Sequence, residues 1–427
     1  DEDGVYGRVA TKEVTVENAT AQVQLVGDDT ILEGSAYTLG VGAMVPPDEP
    51  VSAYTIDWGD GTKTDFDGAP YGQSCPHVYA DGQSIRTIRI WLTDADYGSV
   101  LAGTKHVVVR NVAPTLTPGT VSDVIEGTPF TFALDFNDSG TLDTHTAKID
   151  WGDGTAVEAG AVTESPYGPP GNSAGINGTV TGSHVFADDG SYTVAVTVTD
   201  DEGASVSRTF SVNVLNAAPI VDAGGDQTVF EGSVITLSST TFSDLGALDT
   251  HAATIDWGDG TPKDEGEVTE PPSAPPGDAG GSSGAVAGSH VYADNGIYTV
   301  TVTVADYDGG FHSDTITVTV LNAEPTVEAG ANRTVEEGYL ISLDPSTFRD
   351  LGLADTHTAT IDLGDSTSSS GTVGPPDPAA GAAGTVAATH VYGNEGVYTV
   401  TVTVSDDDGA VTSDSFSVKV LNVRPTL

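Results

Sequence analysis

Carboxylates recur in this sequence at fixed spacing. The pattern Asp-x-Gly-x-x-Asp-Thr-His runs from Asp138 to His145, from Asp244 to His251 and from Asp350 to His357. Later in each repeat comes an acidic hairpin: Asp200, Asp201 and Glu202; Asp306 and Asp308; Asp406, Asp407 and Asp408. A Glu-Gly pair stands ahead of them at Glu33, Glu126, Glu231 and Glu336 or Glu337. Like charges gathered in one place repel unless a cation intervenes. Ca²⁺ takes about six to eight oxygens in loose geometry, whereas Mg²⁺ and Zn²⁺ want stricter or nitrogen- and sulfur-rich sets, so calcium binding is the chemistry this pattern allows. None of the turns is an EF-hand, since "DDDG" at Asp406 lacks that loop's closing Glu. The other reading of the same residues is a set of solvated turns on a very acidic surface.

Two further motifs invite chemistry. "IDWGDGT" begins at Ile56, Ile149 and Ile255 and returns as "IDLGDST" at Ile361. On a strand Ile56 and Trp58 share a face and Asp57 points away. The Trp reads as a core residue, and Gly59-Asp60-Gly61 reads as a tight turn. No nucleophile or base recurs at a matching offset, which argues against catalysis. A His-Val-aromatic triplet falls at His77, His184, His290 and His390. One His per repeat, with no second His or Cys at ligand spacing, is a poor zinc site. The expected role is satisfying a backbone group at a strand edge.

The elements that position these residues follow from the repeat itself. The heptapeptide starts at 56, 149, 255 and 361, spacings of 93, 106 and 106. "YTVAVTVTDDEG" at Tyr192 is echoed at Tyr298 and Tyr398, and each repeat closes on Asn-x-x-Pro at Asn111, Asn216, Asn322 and Asn422. Strict alternation in "YTVTVTV" is the signature of a strand with one buried and one wet face, and no helical stripe competes with it. The fold class is therefore all-β, with several short strands per repeat forming a Greek-key sandwich of about seven strands. The short Asn-x-x-Pro junctions predict stiff connections and a rod.

Composition bounds the function. Lys and Arg number 14 against 62 Asp and Glu, a formal net charge of −48, so nucleic acid and anionic membrane surfaces are repelled partners. Cys75 is the single cysteine and no disulfide framework is possible within the chain. It reads as a small buried residue. No apolar run is long enough to cross a bilayer as a helix.

"WGDG" closing one strand, then His-x-Tyr, then "G-x-Y-T-V-x-V-x-V", resembles the PKD (polycystic kidney disease) domain family. The resemblance implies an immunoglobulin-like β-sandwich, found in extracellular proteins as a spacer, adhesion or glycan-contacting unit, with no catalytic residues to carry over. The boundaries expected are a terminal strand segment at 1–18, a divergent unit at 19–111, units at 112–216, 217–322 and 323–422, and the start of a further unit at 423–427. The first unit lacks the "DTHTA" segment, and the last has Leu363 and Ser366 where the motif has Trp and Gly. Tyr192, Tyr298 and Tyr398 are expected tyrosine corners, with Ile85 near that place in the first unit.

In an immunoglobulin-like topology the Asp-x-Gly loop and the acidic hairpin lie where the chain enters, and the Glu-Gly and Gly-Asp-Gly turns lie where it leaves. Stacking units head to tail predicts that Glu126, with Asp153, meets Asp244, Asp249, Asp306 and Asp308. The candidate calcium ligands are Glu126, Asp138, Asp143, Asp200, Glu202, Glu231, Asp244, Asp249, Asp306, Asp308, Asp350, Asp355, Asp406 and Asp408. Asp60 and Asp259 are expected to face such junctions as Asp153 does. Pro/Gly/Ser/Ala-biased stretches from Ser165, Pro271 and Pro375 are expected surface protrusions. Asn18, Asn137, Asn177 and Asn332 head glycosylation triplets. The terminal fragments fit either a piece of a longer array or a strand that completes a sandwich in a neighbouring chain.

The function expected is that of an extracellular structural protein, secreted or at the cell surface, assembling with itself into a filament and stiffened by calcium. It is not an enzyme, and no organic cofactor is implied. An adhesion or polysaccharide-binding array, or a spacer of a secreted hydrolase, are the alternatives.

Overall fold

A computed structural model describes residues 12–13, 21–47, 50–94, 98–165, 171–272, 275, 278–373 and 382–424. Among these every regular element is a strand. Most of the expected terminal segment at 1–18, including Asn18, and the first half of the biased stretch from Pro375 lie outside the described residues.

Alternation drives the architecture. In Gly296–Asp306, Val300, Val302 and Val304 are fully buried while the threonines between them face the other way. β-Branched residues suit this half-buried pleat. The third sandwich shows the topology most completely. One sheet holds Ile220–Asp222, Val234–Asp244 and Ser282–Val291; the other holds His251–Asp256, Gly296–Asp306, Phe311–Leu321 and Gln227–Phe230. The strand Asp264–Thr269 crosses between them, pairing Gly266 with Ala253 and Thr269 with Ala285. Gln227–Phe230, the second strand of the repeat, runs parallel to its last strand, Phe311–Leu321. The same parallel pairing joins Thr30–Leu32 to Gly98–Arg110 and Arg333–Glu336 to Val411–Leu421. The whole is a tandem array of immunoglobulin-like sandwiches.

Each sandwich has its own core. Trp58, Trp151 and Trp257 are about as buried as the isoleucines two residues before them, and Leu363 takes the place in the fourth. The indole N–H donates to Thr64 Oγ1 in the first, Glu158 in the second and Asp264 in the third, so burying the ring strands no donor. Cys75, on the strand Gln73–Val78 opposite Leu39, is buried in the first core. Tyr298 Oη donates to Asp294 O and Tyr398 Oη to Asn394 O, the expected corners. In the first sandwich Arg86, not Ile85, stands in register with these tyrosines: Ile90 and Val302 pair with the equivalent Ile56 and Ile255, and Arg86 and Tyr298 each lie four residues earlier. The biased stretches are only partly loops, since strands begin within them at Ile176 and Ser282.

The described chain divides into two compact units. The first holds residues up to Val124, Pro129–His184 and Ser191–Asn213. The second holds Ile125–Thr128, Val185–Gly190 and everything from Val214 onward, so the closing turns of the second sandwich pack with the third.

The "WGDG" turns differ in one telling way. Gly61, Gly154 and Gly260 have φ of 93°, 86° and 83°, with nothing near the position of a Cβ. Ser366 occupies this place in the fourth sandwich at φ 73°, a left-handed conformation that costs a side-chain-bearing residue about 1 kcal/mol. The Ser366→Gly substitution is expected to stabilise the fourth sandwich by about 1 kcal/mol. Denaturant unfolding followed by a probe in that sandwich measures it, and an unchanged midpoint would show that the turn carries no such strain.

Candidate metal centres at the sandwich junctions

The Gly-Asp-Gly aspartates are not junction residues. Asp60 Oδ1 accepts from Thr62 N and Oγ1, and its Oδ2 meets His77 Nε2 at 2.6 Å. Asp153 with His184, Asp259 with His290 and Asp365 with His390 repeat the pair at 2.7–2.8 Å. Burial alone would raise the Asp60 carboxyl, but the hydrogen bonds from His77 and Thr62 outweigh it and hold it down at about 2. The His rings stack on Trp58, Trp151 and Trp257 with centroids 4.4–4.9 Å apart. The expected backbone partner of these histidines is therefore a carboxylate, and the whole "IDWGDGT…His" constellation pins a turn to a core.

The junctions are built from the Glu-Gly turn upward. Glu33 Oε1 accepts from Val112 N at 2.6 Å, just past Asn111 of the junction. Glu126 does the same to Ala217 N and Glu231 to Ala323 N, both at 2.7 Å. In the fourth repeat Glu337, rather than Glu336, holds Val423 N. The other oxygen, Oε2, of Glu33, Glu126 and Glu231 is buried with no partner. The glycine beside each glutamate is required by close approach: a Cβ on Gly34, Gly127 or Gly232 would lie 2.3–2.6 Å from the carbonyl oxygen of Ser139, Leu245 or Leu351 in the following sandwich.

Backbone hydrogen bonds close the same face. Leu142 N donates to Ala80 O, Ala247 N to Ala187 O and Ala354 N to Ala293 O, tying each Asp-x-Gly loop to the preceding sandwich. In that loop Asp138 Oδ1 accepts from Gly140 N and Oδ2 meets His145, which also holds Glu164. Asp244 with His251, and Asp350 with His357, repeat the anchor. Burial would lower the His145 imidazole, yet its two carboxylate partners raise it, which favours a cation bridging Asp138 and Glu164. Three residues past Gly140 the picture inverts. Asp143, Asp249 and Asp355 are at most 8% exposed, and neither oxygen of any of them has a hydrogen-bond partner.

Oxygens of Glu33, Asp138 and Asp143 lie within 4.8 Å of one another, as do those of Glu126, Asp244 and Asp249. Glu202 joins Asp143 and Asp81 in a neighbouring group, and Asp308 joins Asp249 and Asp188. The other hairpin aspartates act differently. Asp200 Oδ2 accepts from Asn111 Nδ2, Asp306 Oδ2 from Asn216 and Asp406 Oδ2 from Asn322, while each Oδ1 takes backbone N–H groups of its own hairpin. Both oxygens being engaged, these three position the asparagines. The Oδ1 atoms of those asparagines are buried without partners, which adds one neutral oxygen to each junction. Asp408 acts electrostatically on Glu231 and Asp355.

Buried carboxylates without counter-charge shift upward. Burial first, then Asp138 and Glu202, push Glu33 to about 7, and burial with Glu33 and Asp138 pushes Asp143 to about 8. Glu126 rises to about 8, Asp249 and Asp355 to about 7, and Glu231 rises as well. The donor set suits a hard cation: carboxylates, an amide oxygen and nearby carbonyls, with no sulfur. The residues that would hold such an ion are Glu33, Asp138 and Asp143 at the first junction and Glu126, Asp244 and Asp249 at the second.

Several of these residues escape a reading of the sequence alone. Glu33 belongs with Glu126 and Glu231 by the Glu-Gly recurrence. Asp81, Asp188 and Asp189 sit in "YAD" and "FADD", which recur directly after the His-Val-aromatic triplet and were a readable signal. Of the glycosylation candidates, Asn137 spends Nδ2 on Ala174 O and Ile176 O, while Asn177 and Asn332 are exposed.

A family model described as "PKD domain" matches residues 111–214 and 322–420. No curated protein matches the chain. Among solved structures, protocadherin gammaB7 EC3-6 is 14% identical with a TM-score of 0.24, covering 93% of this chain and 100% of that one. Mouse cadherin-23 EC22-24 is 16% identical with a TM-score of 0.23, covering 73% and 100%. The Dpr2 Ig1-Ig2 complex with DIP-Theta Ig1-Ig3 is 10% identical with a TM-score of 0.27, covering 73% and 100%.

The raised carboxyls carry a pH consequence. With folded values of about 7 to 8 against unfolded values near 4, the metal-free native state binds more protons than the unfolded chain across that window. Stability in chelator is therefore expected to be highest near pH 5 and to fall as pH rises through 8. Thermal unfolding in EDTA across this range checks it, and a melting temperature that climbs toward pH 8 would contradict it.

Proposed function

The second and fourth repeats belong to the PKD domain family, and from that premise we propose that the chain is an extracellular structural or adhesion array whose junctions bind Ca²⁺. PKD domains are a non-catalytic type characteristic of extracellular regions. The observation that supports the calcium reading is a recurrence. At three successive junctions a glutamate oxygen, an asparagine oxygen and both oxygens of an aspartate are buried with no partner. A single orphaned group is an exception; the same orphans at the same place three times are a ligand set.

Calcium would act as a stiffener. Without it, the carboxylates of one sandwich's closing turn repel those of the next sandwich's entry loop. With it, the two sets share an ion, and the orientation between neighbours is fixed by coordination as well as by the backbone hydrogen bonds. A stiffened series of sandwiches suits a spacer, stalk or fibre. The Glu337 clamp on Val423 repeats the clamps at Glu33, Glu126 and Glu231, so the fourth sandwich offers the first half of another junction. That half supports end-to-end assembly, completed by a further sandwich of the same chain or of another copy.

Thermal unfolding at pH 8 with calcium or with chelator tests this reading. Calcium in large excess over its dissociation constant is expected to add about 3 kcal/mol at the junctions. Asp249→Asn is expected to lose part of that increment while melting no lower than the parent in chelator, because the substitution removes a repelling charge. Equal melting of the parent with and without calcium, and unchanged particle length in negative-stain images, would sink the proposal.

A further inference from the structure

The junctions are not equivalent, and one arginine marks the difference. Resting on the calcium reading above, we propose that each acidic junction has an inner and an outer cation seat sharing one aspartate, and that in the first junction Arg86 fills the outer seat.

The sharing is geometric. In the first junction Asp143 belongs both to the inner group with Glu33 and Asp138 and to an outer group with Asp81 and Glu202. In the second, Asp249 belongs both to the inner group with Glu126 and Asp244 and to an outer group with Asp188 and Asp308. Asp143 and Asp249 each offer two oxygens free of hydrogen bonds, one for either side, and Glu202 Oε2 is likewise buried and unpartnered. A carboxylate with both oxygens unspent is suited to bridging two ions.

The outer seats diverge in charge. Arg86 Nη2 lies 3.1 Å from Asp81 Oδ2, and its Nε is buried. Its counterpart in the second repeat is the neutral Tyr192, by the same four-residue offset from the strand's paired residue Val196. Gly82 stands in the first repeat where the second has Asp189, which forms a further group with Glu126 and Asp188. The first outer seat thus lacks a counterpart of Asp189 and has a guanidinium paired with one of its three carboxylates, Asp81. A guanidinium is permanently charged, so it occupies the place of a metal at every working pH. The first junction takes one ion and the second takes two.

Equilibrium dialysis of the full chain against radioactive calcium counts the ions. Arg86→Tyr, which copies the second repeat, is expected to raise the saturating stoichiometry by one calcium per chain. Arg86→Gln keeps the length without the charge and gives the same gain if the tyrosine does not pack. If the parent binds calcium and both Arg86 variants bind the same number as the parent, the outer-seat inference is overturned while the calcium reading stands. If the parent binds no calcium, both fall.

Discussion

Burying carboxylates together without counter-charge is the constraint around which the junctions are organised. A lone ionised carboxylate in a protein interior costs several kcal/mol, and three or four facing one another cost more. Every local feature of the junction answers that cost in part. One glutamate oxygen takes a backbone N–H of the connecting segment, one aspartate takes a histidine and a glycine N–H, and a second aspartate orients an asparagine. What is left over is confined to a few oxygens of fixed position. A hard cation of charge two, as proposed, would remove the remainder.

The interior of each sandwich obeys a different economy. Its tryptophans are buried with their N–H groups satisfied, and the histidine stacked on each ring is tied to the aspartate of the adjoining turn. Asp60, half-buried, and Asp143, fully buried, thus have opposite fates. The first has donors on both oxygens and is held far below the usual carboxylate range, and the second has none and is pushed far above it. Burial and neighbouring carboxylates raise Asp143, while hydrogen bonds from His77 and Thr62 outweigh burial at Asp60.

Much of this was legible in the chain itself. Alternating valine and threonine announced the strands, the recurrent Trp and Leu363 announced the cores, and the Glu-Gly and Asp-x-Gly recurrences announced that acidic turns face one another. The roles of individual oxygens were not legible. Asp200 and Asp143 look alike in sequence, but one is saturated by the junction asparagine and its own hairpin while the other is not. Asp153 was expected at a junction because its turn lies near one, yet a single histidine claims it. Strand register was also hidden: only pairing shows that Arg86, and not Ile85, stands in the tyrosine's place. Periodicity reports which face a residue occupies, and says nothing of which lone pairs remain free.

The parallel pairing of a repeat's second strand with its last strand has a mechanical meaning. Gln227–Phe230 and Phe311–Leu321 run side by side in the same direction; the chain reaches the first after the short strand Ile220–Asp222 and leaves through the second. Tension applied along the chain pulls these two strands in opposite senses along their common axis. The hydrogen bonds between them are then loaded side by side in shear, so that they yield as a group instead of unzipping one at a time. The first and fourth repeats share this parallel arrangement, which places the element that resists extension directly on the line of force.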